Sequence, residues 1–241
     1  MTRQVLLDVY DRLLRHFGPR GWWPGETPFE VCVGALLVQN TSWANAARAV
    51  ANLKDRNLLS PAGLRDVSRS RLARLVRSAR FFNVKADRLK AFIRFLWEKH
   101  DGELEALFRL PSDSLRRVLL NLNGIGPETA DSILLYAAER PVFVVDAYTH
   151  RILARLGLYD GPSRGREGYE TLQDAFHRRL PRDAPLSNEY HALLVELGKT
   201  YCRPRPVCPP CPLKGICPYP AANSNPPGPG RREPGRDDKE G

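Results

Sequence analysis

The stretch Leu122-Asn123-Gly124-Ile125-Gly126-Pro127-Glu128-Thr129-Ala130-Asp131 constrains this chain more than any other. It reads as the end of one helix, a short glycine-bearing turn and the start of the next. Gly124 and Gly126 let the backbone turn sharply and come close to a ligand. Pro127 suits a first helical position, where its fixed φ helps and its missing N–H costs nothing. Open backbone N–H groups at such a turn, beside a positive helix end, make a site for a phosphate. Ile125 and Thr129 belong to the same ligand-facing motif.

On either side of this turn the apolar residues recur at helical spacing. Residues 3–17 repeat Val5, Leu6, Val9, Leu13, Leu14 and Phe17. Thr27 caps a very apolar helix that runs to Val38, where Gln39-Asn40-Thr41-Ser42-Trp43 interrupts with a polar turn. Further helices are expected to about Leu53, from Ser60, over 69–78, 83–100, 112–121, 127–138, 146–156, 167–180 and 187–201. Residues 141–145 form a short extended connector. No segment sustains period-two alternation, so the expected fold class is all-α. From Ala221 on, Asn, Pro, Gly and charged residues dominate, and residues 221–241 read as a disordered tail.

The net charge of +10 does not come from that tail, which holds four basic and four acidic residues. Residues 64–99 carry eleven Lys or Arg against three acids. A basic folded segment points to a polyanionic partner, nucleic acid above all. The N-terminus shows no secretory signal, and no apolar run is long enough to span a bilayer. These features lead to an expectation of an intracellular protein with no membrane partner.

Four of the five cysteines, Cys202, Cys208, Cys211 and Cys217, fall in one Pro-rich loop with spacing C-x5-C-x2-C-x5-C. In a reducing compartment that density favours metal over disulfide. Zinc modules more often show two C-x2-C pairs, and only one exists here. The spacing therefore favours a [4Fe–4S] cluster, with zinc as the alternative. Cys32, inside an apolar helix, reads as packing.

The turn, Val145-Asp146 downstream, Gln39-Asn40 upstream and the cysteine quartet together resemble the helix–hairpin–helix DNA glycosylases of the endonuclease III superfamily. The resemblance covers roughly residues 5–217. It implies two helical domains with a DNA-binding cleft between them. One is a central six-helix barrel over 26–138; the other joins 1–25 to 139–220 and carries the iron–sulfur loop. It also implies double-stranded DNA with a damaged base as partner, a monomer, and a cytoplasmic, nucleoid-associated location. Gly124 and Gly126 would hold a backbone phosphate, and Gln39 or Asn40 would fill the gap left by a flipped base. Asp146 would stabilise the sugar cation formed as the glycosidic bond breaks. Asp146 also suits an ordinary helix N-cap.

Two departures from the endonuclease III pattern stand out. Strand-cleaving members keep a lysine two residues after the last hairpin glycine, and here that residue is Glu128. A carboxylate forms no Schiff base, so lyase activity by that route is expected to be absent; Lys85 or Lys199 are the alternative amines. The first cysteine gap is also one residue short. Trp22-Trp23-Pro24, Gln39 to Trp43, Glu128 and Asp146 look instead like the bacterial 3-methyladenine DNA glycosylases of endonuclease III type. That likeness implies Trp23 and Trp43 as two walls around a cationic base, supported by Trp22, with Glu128 as counter-charge. The plainer alternatives are core tryptophans and a Glu128 that only caps its own helix. The expected activity is base removal without strand cleavage.

Overall fold

The computed structural model describes residues 1–163 and 165–219; the tail at 221–241 lies outside them. Among the described residues every regular element is helical, as the absence of alternation requires. In order these are α1 (Arg3–Phe17), α2 (Pro28–Leu37), α3 (Trp43–Lys54), α4 (Pro61–Asp66), α5 (Arg69–Leu75), α6 (Phe82–His100), α7 (Leu104–Phe108), α8 (Ser112–Leu120), α9 (Pro127–Ser132), α10 (Ala147–Arg155), α11 (Gly165–His177) and α12 (Ala184–Thr200).

Local chemistry sets most of the helix starts. Thr27, Ser42, Ser60, Ser68, Asp146 and Asp183 each accept a first-turn backbone N–H on the side chain, satisfying donors that have no partner inside the helix. Three elements depart from expectation. Helix α7 is a single turn of five residues, too short to show a period. The helix expected over 127–138 changes at Ile133 into a wider π turn, Ile133–Ala137. Helix α12 begins at Ala184, three residues before the expected start.

The apolar residues form two clusters. The first gathers α2, α3, α6, α8 and the hairpin around Leu36, Leu37, Leu89, Phe92 and Ile133. The second joins α1 to α10, α11 and α12 around Leu6, Leu13, Phe143, Phe176 and Tyr190. The connector between the two runs extended, and its side chains alternate: Val142 and Val144 enter the first cluster, Phe143 and Val145 the second. Asp146 follows directly, so the connector delivers it to the seam between the cores.

Below the hairpin, Asp131 is fully buried. Arg116 grips it with two hydrogen bonds of 2.7 and 3.0 Å, and Gln173 adds a third of 2.8 Å. This ties α8, α9 and α11 together. A cavity of about 460 Å³ opens beside these groups and His177, but neither Glu128 nor Asp146 lines it.

Candidate active site

The hairpin turn is built as its glycines suggest. Gly124 has φ 85°, and a Cβ there would collide with the Arg88 side chain. Glycine is therefore required twice over, by conformation and by space. Gly126 is exposed and faces open space, leaving room for a ligand at the start of α9. Ile125 is buried and anchors the turn to the first core.

Gln39 holds the polar turn after α2 against the hairpin. Its Nε2 donates to the Gly124 carbonyl (2.9 Å) and to Thr129 Oγ1 (2.8 Å), while Oε1 accepts from Arg88 Nη1. Both ends of the amide are engaged, so Gln39 is a brace in this conformation. Neighbouring Asn40 is exposed, with φ 52°.

The tryptophans cluster over α2, where Gly34 leaves space for the rings of Trp23 and Trp43. The expected pair of walls is not what they form. Trp23 and Trp43 meet edge to face, with centroids 5.0 Å apart and planes at 85°. A base sandwiched between two rings needs parallel planes about twice the stacking distance apart, so none fits between these. Trp22 packs against both at 5.5 Å, and Lys199 Nζ lies 5.4 Å from its ring centre. Trp23 also contacts Tyr136 on the π turn at 5.2 Å, which links the aromatic cluster to the acidic groups.

Asp146 caps α10: its Oδ1 accepts from Thr149 N (2.7 Å) and Thr149 Oγ1 (2.9 Å). Its Oδ2 faces His191 Nε2 at 3.6 Å, both side chains nearly buried. Burial works to raise the Asp146 pKa, but His191 and the Thr149 bonds outweigh it and hold the carboxyl below its ordinary value. Glu128 behaves oppositely. Its side chain is exposed at the surface, yet the protein packed around it, followed by the charge of Asp146, pushes it up to about 7. Two carboxyl groups driven apart in this way are suited to different tasks.

These features agree with what the chain is similar to. A profile of HhH-GPD superfamily base excision DNA repair proteins matches residues 33–178, which span the hairpin and Asp146. The chain belongs to the HhH-GPD superfamily. Within it, the chain is 44% identical over 216 residues to MJ1434 of Methanocaldococcus jannaschii, a protein provisionally named a DNA repair glycosylase; the match covers 89% of this chain and 96% of that one. It is 32% identical to endonuclease III of Thermotoga maritima, over 80% of this chain and 83% of that protein. Among solved structures, H. pylori 3-methyladenine DNA glycosylase bound to 1,N6-ethenoadenine superposes with a TM-score of 0.71 at 27% identity, covering 83% of this chain and 98% of that one. An endonuclease III–DNA complex superposes with a TM-score of 0.77 at 22% identity, covering 92% and 98%, and shares the fold. The protein is thus a DNA glycosylase of the HhH-GPD/endonuclease III superfamily.

In this HhH-GPD protein Cys202, Cys208, Cys211 and Cys217 line one cavity together with Arg155. Burial raises the Cys211 and Cys217 thiols above their ordinary value. Among the described residues no three His, Cys, Asp or Glu converge closely enough to hold a single metal ion. Four cysteines lining one cavity are a donor set that fits either an iron–sulfur cluster or a tetrahedral zinc. Helix α10 holds the loop: Arg151 donates to the Cys202 carbonyl, and Arg155 to the Arg203 and Pro204 carbonyls.

Two residues escaped the reading of the sequence. His191 stands beside Asp146 although α12 lies far along the chain, and no local motif marks it. Phe81, between α5 and α6, is 61% exposed at φ 42°, with the Arg80 guanidinium 5.9 Å from its ring centre. A second phenylalanine directly before Phe82, just outside the helical period of α6, was the available signal. Lys85, considered above as an amine, is 1% exposed and donates to the Leu37 and Ala79 carbonyls. Among the described residues no helix is long and apolar enough to cross a membrane.

Proposed function

We propose that this protein removes an alkylated purine from double-stranded DNA by hydrolysing its N-glycosidic bond, without cutting the strand. The observation that carries the reading is a carboxyl group at position 128, near enough to Asp146 for the two charges to act on each other, in the place where strand-cleaving relatives keep an amine. The likeness to a 3-methyladenine glycosylase supports the substrate class.

The target base must leave the stack, at a cost of a few kcal/mol. The amides of Gly124 and Gly126, at the open start of α9, hold a backbone phosphate without reading sequence. Asn40, free where Gln39 is braced, occupies the vacated position, and exposed Phe81 wedges the stack from the basic segment. The flipped base lies against the outer faces of the tryptophan cluster rather than between two walls. A cationic purine gains about 0.5–2 kcal/mol from each such face, and ionised Glu128 supplies a counter-charge. Asp146, held ionised, stabilises the oxocarbenium-like sugar and orients the attacking water. A positively charged base already leaves readily, so little acid catalysis is needed.

In this reading the two apolar clusters are two helical bodies flanking the cleft, over 26–138 and over 1–25 with 139–220. The cysteine loop holds a [4Fe–4S] cluster through Cys202, Cys208, Cys211 and Cys217, whose role is to fix the loop to α10. The protein works as a monomer on nucleoid DNA. Buried Lys85 cannot reach an abasic sugar, but exposed Lys199 over Trp22 keeps a second reading alive, in which an amine at the pocket cleaves the strand. Duplex DNA treated with a methylating agent tests the first reading. Free methylpurine should appear with the backbone intact, and Asp146→Asn should reduce its release by about 100-fold or more. A strong borohydride-trapped adduct on abasic DNA, lost in Lys199→Ala, establishes the second.

A further inference from the structure

Asp146 has one oxygen fully engaged and one directed at a histidine. Oδ1 takes two bonds from Thr149, while Oδ2 faces Nε2 of His191 across 3.6 Å. That Nε2 is buried and has no hydrogen-bond partner, which is a costly state for an N–H in a protein interior. The other ring nitrogen, Nδ1, is bonded to the hydroxyl of Tyr136. Three separate elements converge here: the π turn brings Tyr136, α12 brings His191 and the start of α10 brings Asp146. His191 is 6% exposed and Tyr136 9% exposed.

The direction of the Tyr136–His191 bond decides which nitrogen carries the proton. Among the described residues the Tyr136 hydroxyl has no other hydrogen-bond partner, so its proton is directed at Nδ1. A hydroxyl donating to Nδ1 leaves a neutral imidazole with its proton on Nε2, the nitrogen that faces Asp146. A small approach of the two side chains then completes a bond from Nε2–H to Oδ2. Metal-bound histidines and catalytic triads use the same logic, in which the bond at one ring nitrogen sets what the other offers.

We propose that His191, with its tautomer set by Tyr136, is a positioning residue for base release, its Nε2–H donating to Oδ2 of Asp146. The inference rests on Asp146 being the catalytic carboxylate. With Oδ1 tied to α10 and Oδ2 to α12, the carboxylate plane is fixed relative to the sugar. The same N–H opposes the burial that would otherwise neutralise Asp146. The charged and titratable groups that act on the imidazole are Glu128 from α9, Tyr136 from the π turn and Asp146 at the cap of α10, while His150 on α10 and Glu189 on α12 act in turn on Asp146 and Tyr136.

Two measurements test it. The first is the ¹⁵N spectrum of histidine-labelled protein, which needs no substrate: His191 should be neutral and protonated at Nε2, and Tyr136→Phe should weaken that preference. Protonation at Nδ1 would overturn the proposal. The second is single-turnover release of methylpurine from methylated duplex DNA against pH, made in Glu128→Gln so that Asp146 supplies the only carboxylate limb. His191→Ala should bring an acid limb up by about one pH unit or more and lower the plateau, and His191→Gln, which restores an N–H, should reverse both. Thermal melts of each variant separate misfolding from lost positioning. An unmoved limb in folded His191→Ala, with Asp146→Asn inactive, overturns the His191 role alone. Full release by Asp146→Asn overturns that role together with the Asp146 reading beneath it.

Discussion

Glu128→Gln is the substitution on which the substrate assignment turns. In the folded protein the Glu128 carboxyl is pushed up to about 7, first by burial and then by Asp146. An acid with that value is about one-tenth ionised at pH 6 and about nine-tenths ionised at pH 8. If the ionised form holds a cationic purine, single-turnover release should rise about tenfold across that interval. Asp146 contributes nothing to the rise, because its own carboxyl is held below its ordinary value and is ionised throughout. The glutamine variant keeps the size and shape of the side chain but cannot ionise. Its profile should be flat from pH 6 to 8 and lie near the wild-type rate at the lower pH. The assay is quenched-flow release of methylpurine, with abasic sites revealed by alkali. A rise that persists in Glu128→Gln would remove Glu128 from the site. A wild-type rate that falls over the same interval would mean that Glu128 donates a proton, and that the preferred base is neutral.

Three further outcomes follow from the geometry. Asp131→Ala leaves Arg116 partly buried without its bidentate partner and should cost about 3–5 kcal/mol in urea unfolding; a loss under 1 kcal/mol would show that the network carries little. The Phe143 N–H donates to His177 Nε2 at 2.9 Å, and burial followed by Arg182 lowers that ring to about 4. Because the folded value lies below the unfolded one of about 6.5, stability is complete above pH 6.5. It should fall as the pH drops toward 4, by the order of 2–3 kcal/mol, a slope that His177→Gln should remove. Replacing Cys211 by Ser should abolish the visible absorption of an iron–sulfur protein and loosen the 202–217 loop to protease; a colourless wild-type protein containing one zinc would contradict the cluster.

Much of the fold was legible because its signals are local. Capping residues such as Thr27, Ser42 and Ser60 sit directly before apolar periods, and Gly124 and Gly126 announce their turn. The place of Asp146 at the head of α10 was legible for the same reason, since an Asp directly before an apolar period reads as a cap. What escaped depends on distance along the chain. Tyr136 and His191 are bonded although 55 residues apart, and nothing near either residue records the other. The tryptophan geometry was hidden as well, since adjacent residues and a nearby turn fix composition but not the angle between rings. The bracing of Gln39 was hidden because a polar residue at a turn looks free until its partners, Arg88 and Thr129, are brought to it by packing.

The connector from Val142 to Val145 makes the placement of Asp146 a matter of parity. Each step along an extended chain reverses the side to which a residue points, and here alternate residues are claimed by opposite cores. Adding or removing one residue would ask Phe143 to occupy the space of a valine and would turn the start of α10 away from the seam. Adding two would restore the facing but move Asp146 onward by about 7 Å, beyond the reach of His191. Substitutions on this segment can be absorbed, but changes in its length cannot, and four residues without regular structure thereby act as the gauge that sets the carboxylate against His191.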